Sequence, residues 1–401
     1  MKVLQIHNHY GSHSGETTVF DVQKELLEKY GHTVIRYIRS SKELDTINFG
    51  KFIAFTNAIY SPSSIRDVLS TLKSQSPDIV HIHNLYPLIS PSILPSIRKE
   101  GIPVVMTVHN YRLVCPNGLF YNKKGICECC AGGKEWNCLL QNCEESYFKS
   151  LGYTLRNAWA RLAGYYKDNV NAFLCLTEFQ KRKLIENGFP ESKCHIIPNF
   201  TVNDPIRTDE DSISLSVKKG FLFIGRLNRQ KGIDTLVAAA RKCPDISFII
   251  AGSVDKTFID TNSFPNNVKW LGVVSNESIT RLLHKVKALV FTSRSYEGFP
   301  MVFLEAMQQG VPVVAPNLAG FPEIIREGIN GWLFGLNDAD DLARVLRMIE
   351  DDKSSLIDTA GQRGKEILLK EYSSEVWYRE YIKITSALIN KSGSENKFIC
   401  K

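Results

Sequence analysis

The sequence predicts an α/β protein with two doubly wound parallel sheets. Its 401 residues exceed what a single hydrophobic core usually supports, which favours two domains. In both halves short apolar segments alternate with longer amphipathic stretches, the pattern of repeated strand and helix units. A polar stretch over residues 201–217 marks the boundary. We therefore predict a first domain over residues 1–200 and a second over residues 201–401.

The predicted strands are short and rich in branched apolar residues, as expected for strands that are buried on both faces. In the first half they cover residues 2–6, 33–37, 79–82, 104–108, 173–176 and 195–197, with helices over 17–30 and 64–74. In the second half they cover residues 221–224, 247–251, 268–271, 288–291 and 313–315.

Two glutamates of the second half, Glu297 and Glu305, lie on either side of a predicted helix start. Glu305 falls about one turn into that helix, and a carboxylate there can accept two hydrogen bonds from the hydroxyls of a ribose. Glu297 lies in the loop before the helix. The alternative interpretation is a surface loop followed by an ordinary amphipathic helix with a solvated glutamate.

The helix start itself predicts an anion site. Apolar periodicity over residues 299–309 indicates a helix, and Pro300 suits its first position because the missing N–H would have had no intrahelical acceptor. The backbone amides of Gly298 and Phe299 would then lie at a helix N-terminus. The helix dipole favours an anion there, such as a diphosphate.

The loop between the strand at 221–224 and the helix that begins near 233 carries Arg226 and Lys231. A strand-to-helix loop in an open parallel sheet lies at the carboxyl end of its strand, where such sheets bind ligands. A guanidinium and an ammonium there can neutralise a departing diphosphate. A solvated basic turn is the alternative.

Two residues of the first half lie at equivalent positions. Gly15 follows the first strand and would let the backbone approach a ligand closely, although an ordinary turn glycine has the same appearance. His109 ends the strand at 104–108, and a neutral imidazole can hydrogen-bond a sugar hydroxyl or orient an acceptor. For His81 and His83 we favour satisfied core or loop positions.

Taken together, these motifs resemble glycosyltransferase family 4, whose members are retaining enzymes of GT-B architecture with two Rossmann-like domains that face each other across a cleft. The resemblance rests on GRLNRQKG (225–232), the EGFP loop (297–300) and GVPVVAPNLAGFPEIIREGINGWLF (310–334). In the first half it rests on DIVHIHN (78–84), TVHNYRLVCPNG (107–118), LTEFQKRKL (176–184) and IIPNF (196–200). It therefore covers nearly the whole chain.

The resemblance implies a transferase that moves a sugar from a nucleoside-diphosphate sugar, with UDP or GDP, to a hydroxyl of a glycan or a polyprenyl-diphosphate-linked acceptor. It implies a role in bacterial surface polysaccharide or lipopolysaccharide synthesis. On the donor side, Arg226 and Lys231 would stabilise the diphosphate, Glu305 would hold the ribose and Glu297 would contact the sugar.

On the acceptor side, the resemblance places His109 beside the donor sugar and Gly15 near the diphosphate. It also implies that a C-terminal helix, at about residues 374–389, crosses back to the first domain. The family lacks a well-placed carboxylate nucleophile, so front-face displacement is expected, in which the leaving phosphate accepts the acceptor's proton. No Asp-x-Asp metal motif was identified, and we expect no obligatory cofactor or metal ion for catalysis.

Two other classes of function stay open at this point. A nucleotide-sugar epimerase or hydrolase of the same fold would act without a glycan acceptor. A non-catalytic nucleotide-sugar-binding protein is the second, although the retention of Arg226, Lys231, Glu297 and Glu305 argues against it.

A cysteine-rich insertion is predicted at about residues 112–146, where six of the ten cysteines fall. Cys127 and Cys130 have the C-x2-C spacing of a zinc knuckle. Cys115 and Cys143 would complete a structural zinc site without an open coordination position. Only one C-x2-C pair is present, so free or transiently oxidised thiols are the alternative.

Charge and hydropathy indicate where the protein works. Residues 1–200 contain 23 Lys and Arg against 17 Asp and Glu, which suits an anionic or membrane-borne acceptor. The sequence has neither a signal peptide nor a membrane span, so we expect a cytoplasmic protein. The basic and aromatic stretch at 146–171 can lie at the inner face of the cell membrane, or it can pack on the sheet. No nucleic-acid partner is expected.

Overall fold

A computed structural model describes residues 1–10, 15–46, 50–201, 218–352 and 354–399. The chain divides into two compact units. The first contains Met1–Asn199 together with the C-terminal segment that begins at Ser374, and the second contains Phe200–Ser373. Beyond Thr201, the linker predicted at 201–217 lies outside the described residues.

The first unit alternates strands and helices along the chain. Its strands are β1 (Lys2–His9), β2 (Thr33–Ser40), β3 (Ile79–Asn84), β4 (Val104–Thr107), β5 (Tyr121–Asn122), β6 (Gly125–Ile126), β7 (Ala172–Cys175) and β8 (Cys194–Ile196). Its first helices are α1 (Gly15–Lys29), α2 (Gly50–Ile59), α3 (Pro62–Gln75), α4 (Leu94–Lys99), α5 (Trp136–Leu140), α6 (Tyr147–Leu162), α7 (Tyr165–Asn169) and α8 (Glu178–Glu186).

The second unit follows the same alternation. Its strands are β9 (Phe221–Ile224), β10 (Phe248–Ala251), β11 (Val268–Trp270), β12 (Ala288–Val290), β13 (Val313–Pro316) and β14 (Gly331–Phe334). Its helices are α9 (Ile233–Lys242), α10 (Asn276–Leu283), α11 (Met301–Gln308), α12 (Phe321–Ile324), α13 (Ala339–Glu350) and α14 (Leu356–Glu371). Helix α15 (Ser374–Ile399) then belongs to the first unit.

The strand order of the first sheet is β2-β1-β3-β4-β7-β8, and all its pairs are parallel. Strands β3, β4 and β7 are buried along their whole length, which explains their continuous apolar sequences. From β1 the chain moves to β2 on one side, and from β2 it crosses to β3 on the other side of β1. The loops that follow β1 and β3 therefore flank a topological switch point. Open parallel sheets bind ligands at such points.

The second sheet has the strand order β11-β10-β9-β12-β13-β14, again with parallel pairs. Its switch point lies between β9 and β12, the two neighbours at which the direction of winding reverses. A buried apolar cluster packs around the sheet, and Phe221 stacks on Phe248 within it. The predicted fold class, two parallel-sheet α/β domains, is therefore confirmed.

The C-terminal helix α15 packs within the first unit. Tyr378 stacks on Tyr30, and its hydroxyl lies 2.8 Å from His32 Nε2. Tyr381 is fully buried beside the ring of His81. The helix continues to Ile399, ten residues beyond the predicted end, because the polar sequence after Ile389 does not interrupt it. Within the described residues, no helix combines the length and the apolar character needed to cross a membrane.

Candidate functional site

The loops after β9 and β12 are joined at the switch point of the second sheet. Thr292 Oγ1 donates a hydrogen bond of 2.7 Å to the carbonyl oxygen of Lys231. Gly232, with φ +63°, lets the two loops approach closely, since a Cβ there would collide with the Thr292 carbonyl oxygen. The backbone that carries Lys231 is thus held against the loop that carries Glu297.

Lys231 and Glu297 form an ion pair at this junction. Lys231 Nζ lies 2.6 Å from Glu297 Oε1, and both side chains are half-buried. The same carboxylate oxygen accepts a hydrogen bond of 2.7 Å from Ser293 Oγ. Lys231 Nζ also lies 5.2 Å from the centre of the Phe291 ring. Two of the four charged residues predicted for the donor site are therefore in direct contact.

Sequence reasoning missed several residues that support this pair. Gln230 Nε2 donates to Ser295 Oγ at 2.9 Å, and the Gln230 carbonyl accepts the backbone N–H of Arg294 at 2.8 Å. Arg294 in turn pairs with Asp234 at 2.8 Å. The one available signal was their position, since Gln230, Arg294 and Ser295 lie in the two loops already singled out and Asp234 is the second residue of α9.

Arg226 and Glu305, the other two charged residues predicted for the donor site, take no part in the Lys231–Glu297 ion pair. Arg226 follows β9 and is exposed, and its side chain makes no ion pair or hydrogen bond with the described residues. Glu305 lies within α11, where burial raises the pKa of its carboxyl group. Its side chain likewise has no hydrogen-bond partner in the described part of the chain. A carboxyl group in this position lacks the polar contacts that would normally offset its desolvation.

The helix start differs from the prediction by one residue. Helix α11 begins at Met301, and Pro300 is the extended residue before it rather than the first helical residue, because its ψ is +115°. Gly298 and Phe299 precede this cap. Phe299 is buried and its ring packs against Tyr372 at 5.5 Å.

The sequence contains two Asp-x-Asp triplets, at 209–211 and 338–340, contrary to the expectation above. Neither triplet supplies a metal site among the described residues. Residues 209–211 lie outside the described range. At 338–340, Asp338 caps α13 by accepting the backbone N–H groups of Asp340 and Asp341, so it serves a helix terminus. The described residues contain no group of three or more His, Cys, Asp or Glu side chains arranged to hold a metal ion.

In the first unit, His109 lies directly beyond the strand β4 and contacts His83. The two side chains meet at 2.9 Å between His83 Nδ1 and His109 Nε2, and their rings stack at 5.2 Å. Burial lowers the pKa of both imidazoles, so both are neutral at pH 7. His81 is a buried core residue whose Nε2 lies 2.8 Å from Thr107 Oγ1, but its Nδ1 and the Nε2 of His83 have no hydrogen-bond partner among the described residues, so neither histidine is fully satisfied.

Beside the histidines lies a polar network that the sequence did not indicate. Arg112 donates from Nη1 to the hydroxyl of Tyr10, and Asn84 Nδ2 donates to the carbonyl of Asn8 at 2.8 Å. Gly15 is the first residue of α1 and is exposed. Residues 11–14, which precede it, lie outside the described part. The loops after β1, β3 and β4 thus meet at the carboxyl edge of the first sheet.

The cysteine-rich insertion is held by the hairpin β5–β6 and by α5. Cys115, Cys127, Cys130 and Cys143, the predicted zinc ligands, do not form a metal-binding group in the structure. The Cys115 thiol donates instead to Asn117 Oδ1 at 3.0 Å, and burial raises its pKa to about 11. Cys143 is hydrogen-bonded to Cys138, a residue outside the predicted set.

Comparison with known families agrees with this geometry. Residues 15–202 match the family model described as Glycosyltransferase Family 4, and residues 207–366 match the model described as Glycosyl transferases group 1. The chain belongs to glycosyltransferase family 4. The predicted resemblance is thereby confirmed, and the protein is a glycosyltransferase.

Relatives and solved structures of glycosyltransferases resemble the chain over most of its length. An uncharacterized glycosyltransferase of Methanocaldococcus jannaschii is 28% identical over 281 residues, which are 68% of this chain and 72% of the relative. Anabaena HepE, solved in complex with UDP, has 16% identity and a TM-score of 0.63, with 96% of this chain and 100% of HepE covered. The lipopolysaccharide outer core galactosyltransferase WaaB has 17% identity and a TM-score of 0.58, with 96% and 100% covered. These structures establish the GT-B fold of the family for this chain.

Proposed function

We propose that this glycosyltransferase transfers a sugar from a UDP- or GDP-sugar to a hydroxyl of a glycan or lipid-linked acceptor, with retention of anomeric configuration. The Lys231–Glu297 ion pair at the switch point of the second sheet carries the proposal. It holds an ammonium group where open parallel sheets receive nucleotides, beside a carboxylate that can accept hydroxyl hydrogen bonds from a sugar.

The diphosphate would bind to Lys231, to Arg226 and to the backbone amides of Gly298 and Phe299. Arg226 supports this assignment because it is exposed and has no carboxylate partner in the described chain. Glu305 supports a ribose contact because two ribose hydroxyls would supply hydrogen bonds that its half-buried side chain does not receive from the described residues. In this assignment Glu297 contacts the donor sugar and gives up part of its contact with Lys231 when phosphate arrives.

The proposed chemistry is a front-face displacement. The acceptor oxygen forms its bond to the anomeric carbon on the face from which the phosphate leaves, so the configuration is retained. The acceptor's proton passes to the departing phosphate oxygen. Lys231 and Arg226 stabilise the charge that develops on that phosphate, so no step requires a metal ion. A neutral His109 would orient the acceptor hydroxyl.

The biological setting is also part of the proposal. HepE binds UDP, which supports a uridine nucleotide as the first donor to examine. WaaB acts on the lipopolysaccharide outer core, which supports a role in bacterial surface polysaccharide or lipopolysaccharide synthesis. We propose that the protein works in the cytoplasm, at the inner face of the cell membrane, where lipid-linked acceptors are present.

A panel of nucleotide sugars tests the proposal in two steps. The correct donor should raise the melting temperature by mass action, whereas mismatched donors should not. The stabilising donor is then incubated with acceptor fractions, and the products are separated by mass. Sugar transfer supports the proposal. Release of free sugar alone would indicate a hydrolase, formation of an epimeric nucleotide sugar an epimerase, and binding without turnover a non-catalytic protein.

A further inference from the structure

A cavity of about 320 Å³ lies within the first unit, at the carboxyl edge of its sheet. Tyr10 follows β1, Tyr86 follows β3 and Arg112 follows β4, and all three contribute to its wall. Helices α2 and α6 form the opposite wall. The cavity thus lies beside the switch point of the first sheet, where ligands bind in folds of this kind.

The wall contributed by the two helices is apolar. Phe55 and Ala58 of α2 face Phe148 and Gly152 of α6 across it, and the rings of Phe55 and Phe148 stack at 5.7 Å. A Cβ at Gly152 would lie 2.9 Å from the Phe55 ring, so glycine permits the close approach of the two helices. Such a wall suits a hydrocarbon chain.

The remaining wall is cationic. Arg112, Lys149 and Arg156 line the cavity, and no Asp or Glu of the described chain lines it. Arg156 is only 3% exposed, yet it has no carboxylate within ion-pair distance among the described residues. It donates to the Pro116 carbonyl at 2.7 Å, and its guanidinium lies over the rings of Tyr86 and Tyr153 at 4.2 and 3.8 Å. A buried cation without a counter-ion is costly, and aromatic faces offset only part of that cost.

Arg112 likewise lacks an ion-paired carboxylate among the described residues. Its Nε is buried without a hydrogen-bond partner among the described residues, while Nη1 donates to the Tyr10 hydroxyl. The carboxylates that act on these cations are Glu16 and Glu144, and neither forms an ion pair with them in the described residues. Glu16 is engaged instead as the acceptor of Asn110 Nδ2 at 2.7 Å. Two guanidinium groups with spare donors beside an apolar wall match an amphipathic anion that carries phosphate.

Helix α6 extends this chemistry to the surface. Phe148, Leu155, Trp159 and Leu162, which we call the α6 stripe, are between 42% and 72% exposed. Their spacing of seven, four and three residues places them along one side of the helix. Lys149 lies beside the first of them and is exposed. An amphipathic helix with aromatic residues and cations suits the boundary between lipid headgroups and acyl chains.

We propose that the cavity binds the diphosphate and the adjoining isoprenoid units of a prenyl-diphosphate-linked acceptor, while the α6 stripe contacts the bilayer from which that lipid is drawn. The assignment rests on the proposed glycosyltransferase function and specifies its acceptor. Arg112 and Arg156 receive the phosphate groups, and the apolar wall between α2 and α6 receives the chain.

Binding of farnesyl diphosphate tests the cavity without turnover. Calorimetric titration is carried out with UDP and GDP both present, so that free diphosphate sites of the second unit are occupied. Farnesyl diphosphate should bind at least about tenfold more tightly than either farnesol or inorganic diphosphate. Farnesol lacks the anionic group, and inorganic diphosphate lacks the apolar chain. Equal affinity for inorganic diphosphate would overturn the assignment.

Variants locate the site. Arg156→Gln should weaken binding by about tenfold or more, since it removes a charge-assisted hydrogen bond. Ala54→Phe, which fills the cavity without changing charge, should abolish binding, and Lys149→Gln, at an exposed position, should weaken it. Arg66→Gln removes an exposed arginine of α3 and serves as the charge-matched control. Farnesyl diphosphate affinity that is unchanged in both Ala54→Phe and Lys149→Gln would overturn the proposal, whatever the folding of Arg156→Gln.

Vesicle sedimentation distinguishes a specific lipid from surface charge. Phosphatidylcholine vesicles that contain undecaprenyl diphosphate should bind more protein than vesicles with phosphatidylglycerol at the same surface charge. The double variant Trp159→Gln/Leu162→Gln should lose binding to both. Equal binding of the two vesicle types by the unaltered protein would overturn recognition of the prenyl lipid. Because neither assay contains a donor sugar, its failure leaves the proposed transferase activity to be decided by the transfer assay.

Discussion

Lys231 Nζ and Glu297 Oε1, 2.6 Å apart, neutralise each other at the switch point of the second sheet. A donor diphosphate must therefore compete with Glu297 for the ammonium group. Glu297→Gln removes that competitor, so UDP or GDP should bind at least as tightly as before while sugar transfer falls by about a hundredfold or more. Calorimetry and initial rates measure the two effects separately.

Lys231→Met should act in the opposite sense on nucleotide affinity. It removes the cation and leaves the Glu297 carboxylate to repel phosphate, so nucleotide binding should weaken by about tenfold or more. Lys256→Gln, an exposed lysine of the second unit without an ion pair among the described residues, is the matched control. Equal weakening by Glu297→Gln and Lys231→Met would show that the pair is merely structural.

Glu305 offers a prediction about ribose recognition. The unaltered protein should prefer the ribonucleotide to its 2′,3′-dideoxy analogue by about tenfold, because a hydroxyl-to-carboxylate hydrogen bond contributes on the order of 1.5–3 kcal/mol. Glu305→Ala should abolish that preference. A preference that persists in the variant would remove Glu305 from the nucleotide site.

The same residue has a consequence for stability. Its pKa is raised by burial in the folded protein, so the unfolded carboxyl group ionises more readily than the folded one at neutral pH. At pH values above the folded pKa, the charged carboxylate therefore lowers the free energy of unfolding. This loss disappears as the pH falls below the pKa of the same group in the unfolded chain. Glu305→Gln should raise the melting temperature at pH 7 and have little effect at pH 4.

Gly232 and Gly272 form a matched pair for testing the junction of the two donor loops. Both have positive φ, +63° and +70°, but a Cβ at Gly272 would meet nothing within 4 Å, whereas at Gly232 it would collide with the Thr292 carbonyl. Gly272→Ala should cost about 1 kcal/mol from backbone strain alone. Gly232→Ala should cost about 3 kcal/mol or more and weaken nucleotide binding, because Lys231 moves with it. Similar melting temperatures for the two variants would contradict a tight junction.

Much of the fold was predictable because its signals are local. Strands such as β4 and β9 are short apolar runs at the centre of a sheet, and burial on both faces requires that composition. The edge strand β14 was not predicted, since its four residues begin with glycine and follow a glycine-containing turn. Its place depends on pairing with β13, a contact that no local pattern encodes.

The candidate site was predictable in its residues but less so in its contacts. Lys231 and Glu297 were identified from their loops, yet their mutual ion pair depends on which strands lie side by side. The same limit hid Arg112 and Arg156, whose significance comes from the lack of an ion-paired carboxylate for either one among the residues that the structure describes. Absence of a partner is a property of the three-dimensional neighbourhood and leaves no mark in the sequence.

The histidines of the first sheet predict a pH-dependent stability. Burial is the main cause that lowers the pKa of His7 and of His81 to about 3, and both are fully buried. A lowered folded pKa means that the unfolded state binds more protons below its own pKa of about 6.5, so stability is present above that pH and is lost as the pH falls. As the pH falls from 6.5 to 5, each of these histidines should lower the free energy of unfolding by roughly 2 kcal/mol.

His7→Phe isolates this effect, since in the described part of the chain neither ring nitrogen of His7 has a hydrogen-bond partner and the ring stacks on Phe20. The variant should be less sensitive to acid than the unaltered protein. The raised pKa of Glu144 acts in the opposite direction in both proteins and cancels in the comparison. Hydrogen exchange of β1 and β3 amides at pH 7 and pH 5 gives the measurement. Identical pH dependence in the two proteins would refute the assignment to His7.

The cysteine insertion gives a prediction that separates reactive thiols from a metal site. A hydrogen bond from Cys138 lowers the pKa of Cys143 to about 7, while Cys130 is buried and its pKa is raised. Iodoacetamide at pH 7 should therefore label Cys143 before Cys130 and Cys138, since the thiolate is the reactive form. Replacing Cys138 with Ala should slow Cys143 labelling by about tenfold, as its pKa returns towards that of a free thiol. Labelling that begins only after a chelator is added would instead show that the insertion holds zinc, the interpretation first suggested by the C-x2-C spacing.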